Sequence, residues 1–396
     1  MKILSITAQK PSSTGSGVYL TEVVKALKEQ GHVQAVMAGV TRKDNVELPE
    51  GVTLYPVYFE SEELPYPVVG MSDEMPYKST RYMDMTEEMT KQFKTAFLKV
   101  LDQAVEKEDP DLILCHHLYY LTALVRERYP EKKVYGFCHN TDLRQMENTA
   151  FQREFIRSQI PALDRIFALQ KMQKDVIQKT YQMSDEHIQI IGTGYNSHIF
   201  YREGEKASRC DQIKRMIFAG KITQKKGVKS FLRALNLLDY DKDHLKITLA
   251  GGAGNEKEYR EIVELAEQCR YKVEFAGCVS QIRLAQLYNE SDIFVLPSMF
   301  EGLPLTVIES LACADRVVMT ELPGVKEWLD ETVPGADIRY VKLPRMRGAD
   351  EPVEEDLPAF EERLAKALCE ALEEKIQSIS DVNNISWERI AEEVIR

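Results

Sequence analysis

The stretch from Asp292 to Glu309, DIFVLPSMFEGLPLTVIE, holds the densest set of residues that could do chemistry. An apolar strand runs into a loop with Glu301 and Gly302, followed by Leu303 and Pro304. Proline suits the first turn of a helix, where its missing N–H is not needed. The amides near Leu305 and Thr306 would then lack intrahelical acceptors and sit at a positive helix end. That is an anion site suited to a diphosphate. Glu309 falls inside the helix, where a carboxylate could accept hydrogen bonds from ribose hydroxyls, and Glu301 could hold sugar hydroxyls. Taken alone, two such glutamates would more often be a helix-start charge and a solvated face; their surroundings change that reading.

Those surroundings include the loop GKITQKKG, Gly220 to Gly227. Its Lys221 and Lys226 could reach a pyrophosphate and neutralise it as fixed cations. In the first half, His116 and His117 follow the apolar run DLILC, at the carboxyl edge of a sheet, and either could point inward. His139 follows the next run in the same way, with Asp142 and Arg144 close by. For this second cluster, packing and helix-start roles are the alternative. Neither Gly15-Ser16-Gly17 nor the Gly251–Gly254 run completes a G-x-G-x-x-G spacing, which argues against a dinucleotide-dependent oxidoreductase.

These groups need elements to hold them. Lys2 to Thr7 reads as a strand, Pro11 to Gly17 as a small-residue loop, and Tyr19, Val23, Val24 and Leu27 as one helix face ended by Gly31. Val33 to Met37 is the next strand, so the unit is βαβ and the sheet parallel. Further strands are expected at 111–115, 133–137, 165–168 and 188–191. A second round begins with a strand at 215–219 and a helix at about 228–238. Strands at 246–250, 273–276, 293–296 and 316–320 follow. The expected domains are 1–200, 201–380 and a terminal segment 381–396, helical and packing back on the first domain. The fold class is α/β: two Rossmann-like parallel-sheet domains facing an interdomain cleft, with ligands at strand carboxyl ends. Prolines forbid a regular helix between Leu64 and Thr80, which reads either as a functional loop or as a surface excursion.

Composition limits the function classes. The chain has 396 residues, 44% hydrophobic and 29% charged, enough for two cores. A net charge of −12 argues against nucleic acid as a partner but leaves room for an anionic ligand held by local amides and lysines. Cys115, Cys138, Cys210, Cys269, Cys278, Cys313 and Cys369 form no CxxC pair, as expected of reduced thiols in a cytoplasmic protein. No apolar run is long enough for a signal peptide or a membrane span.

FAGKITQKKGV, TLAGGAG, FAGCVS and PSMFEGLPLTVIESLACADRVV, taken together, resemble the donor-binding domain of the GT-B retaining glycosyltransferases of family 4, group 1. The first half fits in order with TGSGVYLTEVVKALKEQGH, DLILCHHLY, GFCHNTD and IIGTGYNSHIF, so the resemblance covers nearly the whole chain. It implies a hexose-type transferase that takes its sugar from a nucleotide-diphosphate-sugar, UDP-sugar before a guanosine donor. Lys221, where the family usually has arginine, and Lys226 would bind the diphosphate; Glu309 would hold the ribose and Glu301 the sugar. Gly252, Gly302, Leu303, Leu305 and Thr306 would line the donor, with Cys278 and Val279 bordering the base. Gly15 and Gly17 would approach the phosphates or the acceptor, and His116 would lie beside the transferred sugar. His116, Glu301 and Lys226 are thus the catalytic candidates, while His139, Asp142, Met71, Ser72 and Asp73 are assigned to the acceptor side. Thr193-Gly194 and Asn196 replace a common asparagine-glycine and aspartate, and Ala314 a common glycine; no catalytic group is lost.

The resemblance also implies retention of configuration by a front-side route, with the leaving phosphate taking the acceptor's proton. The chain lacks an Asp-x-Asp in the donor loop and shows no metal-ligand spacing, so neither a metal nor another cofactor is expected. Membrane contact is expected to be peripheral at most, and the acceptor is not legible. A nucleotide-sugar epimerase and a non-catalytic two-lobed sugar-binding protein are the alternatives.

Overall fold

The computed structural model describes residues 1–11, 13–72, 75–204, 213–253, 255–348, 351–374 and 380–396. The chain divides into two compact units, Met1–Gly194 with Trp387–Arg396, and Tyr195–Ser386. The first thus ends at Gly194 rather than at residue 200, and its last segment begins at Trp387 rather than at 381.

In the first unit the elements run β1 (Lys2–Thr7), α1 (Gly15–Glu29), β2 (Val33–Val40), β3 (Thr53–Tyr58), α2 (Glu87–Glu108), β4 (Leu112–His116) and α3 (Tyr120–Arg128). They continue as β5 (Val134–Phe137), α4 (Thr141–Asn148), α5 (Arg153–Gln159), β6 (Arg165–Ala168), α6 (Lys171–Tyr181) and β7 (Ile188–Ile190). The sheet order is β3-β2-β1-β4-β5-β6-β7, every pair parallel. Helices cover both faces of a parallel sheet, so its central strands are buried along almost their whole length; all five residues of β4 are buried.

The second unit repeats the plan with β8 (Lys214–Ala219), α7 (Val228–Leu235), β9 (Leu245–Ala250), α8 (Glu256–Glu267), β10 (Lys272–Gly277), α9 (Gln281–Glu290) and β11 (Ile293–Leu296). Then come α10 (Leu305–Ala312), β12 (Arg316–Thr320), α11 (Val325–Thr332), β13 (Ile338–Val341) and α12 (Leu357–Glu373). Its sheet order is β10-β9-β8-β11-β12-β13, again parallel. In each unit the order reverses between the first strand and the fourth, and beyond the carboxyl ends at such a reversal lies the crevice where open α/β sheets bind ligands.

Several expectations are corrected. The helix of the first glycine loop opens at Gly15, because Thr14 caps it: the Thr14 hydroxyl accepts from Gly17 N at 3.2 Å. Gly15 and Gly17 therefore lie in the first helical turn, not in a loop. Pro304 is the N-cap of α10 rather than its first helical residue, with ψ of 106°. Helix α7 stops at Leu235. The segment from Leu64 to Thr80 is no surface excursion: Leu64, Val68, Val69 and Met71 are core residues, and Val69–Gly70 pairs in parallel with Thr80–Arg81.

The last helix, α13 (Trp387–Ile395), belongs to the first unit. Trp387 meets the Tyr19 ring of α1 edge-on, centroids 4.9 Å apart, and Gln189 Nε2 of β7 donates to Glu393 at 2.9 Å.

Candidate functional site

In the second unit the site begins with a backbone constraint. Gly227 has φ of +72°, and a Cβ there would lie 2.0 Å from the Pro297 carbonyl oxygen. Glycine alone lets the β8 loop approach the β11 loop this closely. Met299 N donates to Lys225 O at 2.9 Å and latches the two loops. Lys226 is thereby aimed at Glu301: Nζ stands 2.6 Å from Oε1, with both side chains largely sheltered. The two expected charge-bearing groups are therefore one ion pair.

The neighbouring loops are laced by main chain. Ile222 N donates to Gly252 O at 3.0 Å, and Gly251 N to Gly277 O at 2.8 Å. Gly251 has φ of +149°, and a Cβ there would overlap Gly220 O at 1.7 Å. A Cβ on Gly252 would meet the exposed Cys278 Sγ at 2.7 Å. Half-buried Val279 borders a cavity of about 480 Å³ that also holds Arg215, Lys246, Glu274 and Arg283.

At the start of α10, Gly302, Leu305 and Thr306 are half-buried and Leu303 is buried. The first amides of a helix have no intrahelical acceptor, so those of Leu305 and Thr306 stand at the positive end of the dipole. Glu309 is buried within α10. With burial as the larger cause, its charge helps push the Tyr288 phenol well above its ordinary range. Lys221 is half-buried in the same loop as Lys226.

In the first unit, both histidines at the carboxyl end of β4 are buried. His116 Nδ1 lies 3.1 Å from His139 Nε2. Its Nε2 is buried without a hydrogen-bond partner among the described residues. The His116 ring stacks on Phe137, centroids 4.8 Å apart. His117 serves other partners. Its Nε2 lies 2.9 Å from Gln9 Nε2 and 3.1 Å from Ser16 Oγ. The amide of Gln9 can only donate there, so His117 Nε2 accepts. His117 and Asn140 have φ of 74° and 72°. Non-glycine residues in this region carry strain of the kind found at functional sites.

Burial holds all three imidazoles neutral. It lowers the His116 and His117 pKa well below the ordinary value, the neighbouring histidines adding to the effect, and brings His139 down to about 3. Tyr19 completes the cluster, its ring 5.3 Å from His139 and its hydroxyl donating to Gly192 O at 3.2 Å.

Two acceptor-side expectations change. Asp142 is fully buried, and its carboxylate accepts from Leu118 N at 2.7 Å, His139 N at 3.2 Å and Cys138 Sγ at 3.3 Å. Its oxygens are spent joining the turns after β4 and β5. Burial raises its pKa against those hydrogen bonds. Met71 is buried too, and its carbonyl accepts from Gln145 Nε2 at 3.0 Å. Ser72 is half-buried, and Asp73 lies outside the described residues. Gln9, Ser16 and Tyr19 are site residues that sequence reasoning missed. A glutamine two residues past β1, at the reversal point, was the available signal for Gln9.

Among the described residues no three of His, Cys, Asp and Glu are arranged to hold a metal ion. No helix among them is long and apolar enough to cross a membrane.

Residues 13–198 match the family model described as Glycosyltransferase Family 4, and residues 213–342 the model described as Glycosyl transferases group 1. An uncharacterized glycosyltransferase of Methanocaldococcus jannaschii is 25% identical over 189 residues, 46% of this chain and 48% of that one. The chain spans about half the length of the first curated relatives it matches: 48%, 64% and 37% for three of them. Sucrose-phosphate synthase from Thermosynechococcus elongatus has the same fold, with a TM-score of 0.68 at 16% identity over 100% of this chain and 97% of that one. So has Anabaena Alr3699/HepE, solved in complex with UDP and glucose, with a TM-score of 0.65 at 13% identity over 100% and 98%. With both family models matched in order and the fold shared along its length, the chain belongs to the group 1, family 4 glycosyltransferases of GT-B fold.

Proposed function

We propose that this protein transfers a hexose-type sugar from a nucleotide-diphosphate-sugar, UDP-sugar first, to a hydroxyl acceptor with retention of anomeric configuration and without a metal. The observation that carries the proposal is the Lys226–Glu301 pair beside the α10 amides, at the strand-order reversal of the second unit. A diphosphate takes the ammonium of Lys226 and the amides of Leu305 and Thr306, with Lys221 as a second cation. Glu309 accepts from the ribose hydroxyls, and Glu301, released from Lys226, accepts from the sugar. From the first unit, His116 offers its unpartnered Nε2 to a sugar hydroxyl.

In the reaction the bond from the anomeric carbon to the diphosphate oxygen breaks, and a bond to the acceptor oxygen forms on the same face. The acceptor proton passes to the departing phosphate. The protein's work is positioning and stabilising the charge that develops on the leaving group. A free acceptor requirement separates this reading from an epimerase.

The test is the shift in melting temperature with UDP, GDP and ADP for the wild type, Lys226→Ala and Glu309→Ala. A ligand at a hundred times its dissociation constant adds about 2.7 kcal/mol to the folded state. One nucleotide should give a clear shift that both variants lose. No shift with any nucleotide would sink the donor site and favour a sugar-binding protein instead.

A further inference from the structure

The His116–His139 contact has a consequence for proton placement. The two rings are tilted by 12°, and their centroids are 5.3 Å apart. Their facing nitrogens are much closer, at 3.1 Å. This is an edge-to-edge approach in a shared plane, not a face-to-face stack. Such a contact holds one proton: two bare nitrogens, or two N–H groups, would repel. Both rings are neutral, because burial disfavours the imidazolium.

A neutral imidazole carries one proton, so the contact fixes both rings together. If His139 donates from Nε2, His116 accepts at Nδ1 and must carry its proton on Nε2. If His116 donates from Nδ1, its Nε2 is bare and His139 carries its proton on Nδ1. The rings share one tautomer in either case. We propose that His139 is the positioning residue for His116, deciding through this shared tautomer whether His116 presents an N–H or a lone pair at Nε2. His139 itself touches no ligand in this assignment, which moves it away from the acceptor side. The proposal rests on reading His116 as the sugar-facing group.

The groups facing the pair are few. Tyr19 approaches both rings from α1, and His117 lies 4.9 Å from His139, centroid to centroid. Beneath them, Asp142 accepts from the His139 amide and from Cys138. The His139 neighbour also disfavours a charge on His116, second to burial. Removing it should therefore move the His116 titration to higher pH.

The first experiment is ring-nitrogen NMR on the full-length chain, isotope-labelled at histidine and assigned with single variants. His116 and His139 are expected to report the same tautomer, both neutral at pH 7. Opposite tautomers or a charged ring would overturn the proposal without any variant having to fold. The second compares UDP with UDP-glucose in the wild type, His116→Phe and His139→Phe. Both variants are expected to keep the UDP response and lose the extra response to UDP-glucose, and His116 in His139→Phe to titrate at higher pH. An unchanged UDP-glucose increment, or an unchanged His116 titration, in His139→Phe would overturn it. No nucleotide response in the wild type would sink the donor reading instead, a result the tautomer measurement does not depend on.

Discussion

Lys226 and Glu301 stand 2.6 Å apart at the place proposed for a diphosphate, so glutamate and phosphate compete for one ammonium. Hydrogen bonds to charged groups contribute about 1.5–3 kcal/mol. Glu301→Gln should therefore bind UDP at least as tightly as the wild type, while Lys226→Ala should bind it roughly tenfold more weakly or worse, by calorimetry. Weaker UDP binding by Glu301→Gln would show that the glutamate aims the lysine rather than occupying it. The three neutral histidines make a second prediction. Their folded pKa values lie below the ordinary 6.5, so below that pH the unfolded chain binds more protons and stability falls. The loss runs from about pH 6.5 towards the folded values, at most about 1.4 kcal/mol per pH unit for each proton. Asp142, whose pKa is raised, acts with the opposite sign, nearer the carboxylate range. Urea midpoints between pH 7 and 5 should fall, and more gently in His139→Phe. Residue types made these sites legible, but partnerships did not: nothing in the order of residues says that His117 serves Gln9 and Ser16 while His116 serves His139.

At the scale of elements, long apolar runs between glycine loops located the central strands within a residue or two, except β2, which runs three residues past the expected Met37. Strands β3 and β13 were not anticipated; most of their residues are only half-buried, so their patterns are weak. The same holds for the core role of the segment from Leu64 to Thr80, whose prolines gave no period to follow. Strand β12 hides a joint that its apolar pattern conceals. Arg316 is buried, bonds Asp337 at 2.9 Å, and donates to the Ala371 and Glu374 carbonyls at 2.7 and 2.9 Å at the end of α12. Arg316→Met leaves Asp337 and two carbonyls short of their donor. Breaking a buried pair from one side costs about 3–5 kcal/mol, so a large drop in the denaturation midpoint is expected. A drop below about 1 kcal/mol would mean that water replaces the guanidinium.

For the whole molecule, both units share one strand order, to which the first adds a seventh strand, and each candidate cluster sits at its own reversal point. The βαβ rhythm made that much readable; which unit claims the last ten residues depends on tertiary packing. Trp387, Ile390, Ala391 and Val394 are buried against the first unit. Ile390 and Val394 alone stabilise by about 1.5–3 kcal/mol each. A chain ending at Ser386 should therefore melt several degrees lower and be cut sooner by protease near Tyr19, with its UDP response intact. Loss of the UDP response as well would mean that the second unit depends on the returning helix.

That returning helix also sets an order of events during synthesis. Domains usually fold as they leave the ribosome, the earlier one first. Here Tyr195 to Ser386 is spliced into the first unit, and Tyr195 pairs with Ser386 where the chain leaves and comes back. The Tyr19 face beside the histidines waits uncovered until Trp387 to Arg396 are made, so a nascent chain that has already built its second unit is still unfinished in its first.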